Sequence, residues 1–221
     1  MENKNLKGQK LTDKITIYNC DNMDLLKQTP DNYYSLAICD PPYGIENITG
    51  KEFSHGRGKL KNRQFNKGNI KINKWDCAPD KIYFDELFRI SKNQIIWGGN
   101  YFNLPIYRHP LIWDKCQPWE NFSQVELAWT SFNKPASIYK LDNRTGGKIH
   151  PTQKPVALYK WLLHNYAKEG DKILDTHLGS MSIAIACHDM KFKLTGCELD
   201  EDYFNDGIKR VKNHISQQRL F

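Results

Sequence analysis

A chain of 221 residues with 39% hydrophobic content is long enough for one sizeable core and fits a single domain spanning 1–221. The formal net charge of +7 points to a polyanionic partner. No apolar run approaches the roughly 18 residues of a membrane span, and the polar start MENKNLKGQK lacks a signal-peptide core, so a cytoplasmic protein without a membrane partner is expected.

In chain order, short β-rich runs alternate with helical patterns. ITIYN (15–19) and SLAIC (35–39) read as strands, with Asp21 placed to cap a following NMDLLKQ helix. Residues 46–74 then hold eight Lys or Arg against two acids, four glycines and little apolar periodicity, so nearly all of the net charge sits in one long loop. A helix is expected over 80–91, with Tyr83, Leu87 and Ile90 on one face. Strands follow at 93–98, 110–115 and 125–130. Pro155 opens a helix over 155–168 that Gly170 stops. Strand 171–176, helix 182–190, strand 193–199 and helix 201–217 complete the chain, the last with Phe204, Ile208, Val211 and Ile215 at helical spacing. This alternation predicts an α/β fold: a seven-stranded, mostly parallel sheet with helices on both faces. The six cysteines lack a C-x-x-C pair and several lie in apolar runs, so buried free thiols are expected, with no metal site and no disulfide.

Three strand ends carry chemistry. CDPPYG (39–44) places two prolines where a strand must stop, since neither has an N–H to donate, and holds Asp40, Pro41, Pro42 and Tyr43 rigidly at the strand mouth. DTHLGS (175–180) is a strand, a turn with Gly179 and a helix start, whose free N–H groups can receive a polar ligand. CELD (197–200) puts Glu198 at the next strand end, suited to accept hydrogen bonds from both hydroxyls of a ribose.

LAICDPPYG, HPTQKP (150–155), ILDTHLGS and GCELDEDYF (196–204), in this order, resemble the motifs of the β-class S-adenosylmethionine-dependent DNA amino-methyltransferases, which methylate adenine N6 or cytosine N4. The segments 83–102, PLIWDK and ELAWTS also match that family. The resemblance implies a Rossmann-like class I methyltransferase sheet with circularly permuted motifs and strand order 15–19, 193–199, 171–176, 35–39, 93–98, 125–130, 110–115, strand 125–130 being antiparallel. It implies S-adenosylmethionine as cofactor and double-stranded DNA as partner, with a homodimer left open. Asp40 and the Pro41 carbonyl would orient the amine of a flipped adenine, and Tyr43 would stack on the base. Lys154, with Thr152 and Gln153, matches the segment that would hold the methionine carboxylate. Asp175, Gly179 and Ser180 match the cofactor loop, His177 would cover a face of the cofactor, Glu198 would be the ribose acid, and Asp21 would sit near the cofactor adenine. Arg57, Lys59, Lys61 and Arg63 in the basic loop are the expected DNA contacts, with 133–149 as a short further recognition segment.

The cofactor loop departs from the family's D-P-F-x-G-S-G-T: Thr176, His177, Met181 and Ser182 replace the Pro, Phe, second Gly and Thr. A methionine where glycine permits close approach or positive φ raises two alternatives, an adapted loop or an obstructed one. Adaptation is favoured, because the other motifs fit together chemically. The expected activity is adenine-N6 methylation. Cytosine-N4 methylation and a DNA-binding regulatory protein with an impaired cofactor loop are the alternatives.

Overall fold

The computed structural model describes residues 6, 8–45, 77–118, 123–142, 149 and 152–217. The basic loop, with Arg57, Lys59, Lys61 and Arg63, lies outside the described residues.

Nine strands and five α-helices occur among the described residues. The strands are β1 (Gly8–Lys10), β2 (Ile15–Asn19), β3 (Leu36–Cys39), β4 (Gln94–Trp97), β5 (Leu111–Asp114), β6 (Val125–Thr130), β7 (Ser137–Lys140), β8 (Lys172–Asp175) and β9 (Lys193–Glu198). The helices are α1 (Asn22–Gln28), α2 (Lys81–Ile90), α3 (Val156–Tyr166), α4 (Ser182–Asp189) and α5 (Glu201–Ser216). They form one sheet in the order β1-β2-β9-β8-β3-β4-β6-β5-β7. The central seven strands follow the expected order, and β6 is antiparallel to both β4 and β5. Two short edge strands correct the count of seven. β1 pairs antiparallel with β2, and β7 pairs parallel with β5. Part of 133–149 is therefore sheet edge. Neither edge strand has an apolar run, because an edge strand with one half-exposed face needs none.

The sheet divides two hydrophobic cores. Along β3, Leu36 and Ile38 enter one core while Ala37 and Cys39 enter the other, which is why all four residues are buried and the run is continuously apolar. The first core is filled by Leu158, Leu162 and Leu163 of α3, the α4 residues and Phe204, Ile208 and Val211 of α5. The second is filled by Leu25 and Leu26 of α1 with Tyr83, Phe84, Leu87 and Ile90 of α2.

Helix starts follow their caps. Asp21, Asp80 and Asp200 each accept a backbone N–H from the first turn that follows. Pro155 is itself the N-cap of α3 rather than its first helical residue, and α3 ends at Tyr166, before Gly170. Gly170 (φ +89°) turns the chain into β8 instead. Of the six cysteines, all free, Cys39, Cys187 and Cys197 are buried as expected, whereas Cys77 and Cys116 are exposed.

Candidate active site

Chain order reverses between β8 and β3, the place where an open α/β sheet leaves a crevice beyond its carboxyl ends. A cleft of about 700 Å³ lies there. It is lined by Asp40, Pro41, Pro42 and Tyr43 after β3, by Thr152, Gln153 and Lys154 ahead of α3, by His177, Gly179 and Ser180 after β8, by Glu198 closing β9 and by Asp21 opening α1. Of the candidate catalytic and cofactor residues, all but the buried Asp175 line this one surface, whereas the loop replacements Met181 and Ser182 do not. Among the described residues no group of three His, Cys, Asp or Glu is arranged to hold a metal ion.

Asp40 is fixed at both oxygens. Its Oδ1 accepts the Tyr43 hydroxyl at 2.8 Å, and its Oδ2 accepts the Lys154 ammonium. Lys154 also lies 3.0 Å from Glu126 Oε2, and Glu126 Oε1 is 2.7 Å from Lys115. The side chain of Lys154 is only 3% exposed, so its charge is met by these carboxylates, with the Tyr43 hydroxyl and the Trp97 ring beside it, rather than by water. Burial works against that charge, but Asp40 and Glu126 outweigh it and hold the ammonium above its usual pKa. Burial pushes the Asp40 carboxyl up, with Lys154 offsetting part of the rise. For Glu126 the two lysines win over burial and hold the carboxyl below its usual value. Lys154, expected at the methionine carboxylate, thus has its ammonium on the DPPY side of the cleft. Glu126 was missed by sequence reasoning. Its signal was an acid inside the apolar strand VELAWT, unremarkable until antiparallel β6 brings its start beside the carboxyl end of β4.

Tyr43 stacks against Tyr101, with ring centroids 5.1 Å apart and planes at 22°. Gly98, in the left-handed region at φ +69°, makes room for that ring, because a Cβ there would overlap it.

The altered cofactor loop is tied down by its own replacements. Asn22 Nδ2 donates to His177 Nε2 at 3.0 Å, which places the ring proton on Nδ1, 2.9 Å from Thr176 Oγ1. Thr176 Oγ1 lies 2.7 Å from the Tyr83 hydroxyl. Burial lowers the His177 pKa to about 3, consistent with a neutral ring. A Pro-Phe pair offers none of these links between α1, the loop and α2. From α5, Arg210 donates to the Ser180 carbonyl at 2.6 Å and to Ser182 Oγ at 3.0 Å.

Met181 does adopt the glycine-like conformation, with φ 58°. Its side chain is fully buried and packs in the first core against Gly207 of α5, where a Cβ would overlap its thioether. The methionine is directed away from the cleft, and Gly207 supplies the space. Replacing Met181 by Gly relieves about 1–2 kcal/mol of left-handed strain but removes a buried side chain worth about 2–5 kcal/mol. The variant is expected to unfold at lower denaturant while its affinity for S-adenosylmethionine changes little. Calorimetry showing markedly tighter binding by Met181→Gly would instead mark the loop as obstructed.

The donor set fits S-adenosylmethionine. Asp175 Oδ1 accepts the His177 N–H at 3.0 Å, while buried Oδ2 has no hydrogen-bond partner among the described residues. Burial raises this carboxyl to about 8, and a cationic ammonium placed at Oδ2 would favour its ionised form. Glu198 accepts the N–H groups of Gly179 at 2.7 Å and Asp200 at 3.0 Å, one on each oxygen, which fixes its orientation and leaves lone pairs for ribose hydroxyls. Asp21 caps α1 through the Met23 N–H and also lines the cleft, so its two expected roles are compatible.

A sheet of this order, with acids at the ends of β8 and β9 and a D-P-P-Y segment at the end of β3, defines a Rossmann-like class I methyltransferase fold. The chain belongs to the N6/N4 DNA methylase family, whose sequence model matches residues 59–209. It is 28% identical over 144 residues to the type II methyltransferase M2.DpnII of Streptococcus pneumoniae, covering 65% of this chain and 50% of that protein. It is 27% identical over 143 residues to M2.LlaDCHI of Lactococcus lactis subsp. cremoris, covering 65% and 49%. The chain therefore matches about half the length of these relatives. Among solved structures, an M1.HpyAVI complex with S-adenosylmethionine superposes with TM-score 0.54 at 21% identity, covering 89% of this chain and 99% of that one. The cytosine-N4-specific PvuII DNA methyltransferase gives 0.59 at 14%, covering 96% of each.

Proposed function

We propose that this cleft transfers a methyl group from S-adenosylmethionine to the exocyclic amine of an adenine flipped out of double-stranded DNA. The observation that carries the reading is Asp40, held at both oxygens, on the same cleft as Glu198, with the Asp175 carboxyl buried at the end of β8. The bound cofactor supplies an electrophilic methyl group on a sulfonium. Asp175 Oδ2 would take its ammonium and Glu198 its ribose hydroxyls, with Asp21 placed for its adenine. Thr152 and Gln153 border the methionine end.

The amine lone pair of adenine is delocalised into the ring and must be turned toward the methyl group. Asp40 and the Pro41 carbonyl accept the amine hydrogens and orient it, and the prolines hold both acceptors still. Tyr43, supported by Tyr101, offers an aromatic surface on which the base stacks. Arg57, Lys59, Lys61 and Arg63 grip DNA phosphates, and 133–149 adds to recognition within a single domain. Aspartate at the head of D-P-P-Y favours adenine over cytosine, whose amine-methylating enzymes more often carry S-P-P-Y.

The test is incubation of the protein with labelled S-adenosylmethionine and unmethylated duplex DNA, followed by digestion to nucleosides. Label on N6-methyladenine is expected. Label on N4-methylcytosine reassigns the base, and an absence of label on DNA rejects the reading. Within the same assay series, Glu198→Ala is expected to weaken cofactor binding by about 1–3 kcal/mol, the range of a charge-assisted hydrogen bond. Unchanged calorimetric affinity would move the ribose elsewhere.

A further inference from the structure

The partly buried chain Lys115–Glu126–Lys154–Asp40 alternates in charge across four segments, the end of β5, the start of β6, the residues ahead of α3 and the end of β3. Lys154 has little access to water, at 3% side-chain exposure, so whatever share of its charge Glu126 takes is withheld from Asp40. An acceptor whose charge is neutralised by a lysine of its own accepts an amine hydrogen more weakly than one whose lysine is shared. We infer that Glu126 is a positioning residue for methyl transfer: it holds Lys154 between two carboxylates, so that Asp40 is fixed in place yet remains a strong hydrogen-bond acceptor for the amine. This rests on the reading of the cleft given above. Lys115 has the lesser part of fixing Glu126 from its other oxygen, 2.7 Å away.

The groups facing Asp40 set the expected sign. Tyr43 donates to it from its own loop, Lys154 donates from ahead of α3, and Glu126 repels it from β6. Asp175 at the end of β8 and Tyr159 on α3 interact with it at longer range. Removing the charge of Glu126 deletes a repulsion and gives Lys154 to Asp40 alone. Both changes make the Asp40 carboxyl more acidic.

The experiment compares parent, Glu126→Gln and the double variant Lys115→Met/Glu126→Gln, which keeps the cluster electrically neutral should the single variant fold poorly. Carboxyl carbon NMR follows the titration of Asp40, assigned by its loss in Asp40→Asn, beside single-turnover methyl transfer and calorimetric binding of S-adenosylmethionine. Expected are an Asp40 titration moved to lower pH, unchanged cofactor affinity, and a methyl-transfer rate lower by about 10–100-fold, the scale of a misplaced reacting group. An Asp40 titration identical in all three proteins overturns the inference whatever the activity, since a merely structural Glu126 would lower rate or stability without moving it. A moved titration with an unchanged rate overturns it too. If the parent methylates no DNA, the reading of the cleft fails, while the titration still decides whether Glu126 governs Asp40.

Discussion

Asp40→Ala is expected to lower methyl transfer by at least about 10²–10³-fold, the cost of removing one preorganised hydrogen-bonding group from a reacting centre. Cofactor binding should be nearly retained, because the groups that fit the cofactor, Asp175 and Glu198, lie at the ends of other strands. The variant also leaves Lys154 with Glu126 alone, so a modest loss of stability accompanies the loss of rate. Asp40→Asn should be milder but still severe. Tyr43 and Lys154 both donate to this side chain, so an amide must point its own donor at Lys154, at Tyr43 or at the incoming amine. Single-turnover transfer of labelled methyl groups, paired with calorimetry, separates the two effects. Turnover by Asp40→Ala within a few-fold of the parent would remove the mechanism.

The second large effect is on folding. Lys154→Met leaves Asp40 and Glu126, 16% and 22% exposed at the side chain, without the cation between them. Breaking a buried pair from one side typically costs about 3–5 kcal/mol; Glu126 keeps Lys115 and Asp40 keeps the Tyr43 hydroxyl, so the lower end of that range is expected. The loss should depend on pH. With Lys154 gone, at least one of the two carboxyls has a folded-state pKa raised above its unfolded value, so the folded variant holds a proton that the unfolded chain has released. Stability then falls as pH rises from the unfolded carboxylate pKa of about 4 through the raised folded value. Urea titrations at pH 5 and pH 8 should show the larger deficit at pH 8, and adding Glu126→Gln should recover part of it. A variant that keeps full stability at pH 8 but loses affinity for S-adenosylmethionine would return Lys154 to the methionine carboxylate.

The distribution of the site along the chain explains what was readable beforehand. Strand ends announce themselves locally: Pro41 and Pro42 stop β3, Gly179 turns the chain after β8, and Asp21, Asp80 and Asp200 cap their helices in place. The innermost strands β3, β4 and β8 were legible because strands covered on both faces are nearly continuously apolar. The order in which they assemble came with the family motifs rather than from periodicity. β1 and β7, short and half exposed, left no such pattern.

By itself the sequence determined which residues stand at each strand end, because backbone constraints act between neighbouring residues: the D-P-P-Y segment, the Asp175 loop and the Glu198 position are all local. Only the tertiary structure decided how those groups engage one another. Lys154 and Asp40 are 114 positions apart, and their ion pair exists because β3 and the segment before α3 meet over the switch point. Glu126 joins them because antiparallel β6 starts where its neighbour β4 ends. Met181 departs from the family's glycine without closing the cleft, because Gly207 on α5, 26 positions along the chain, leaves a hole for its side chain. Each is a long-range pairing of volume or charge, which no local pattern encodes.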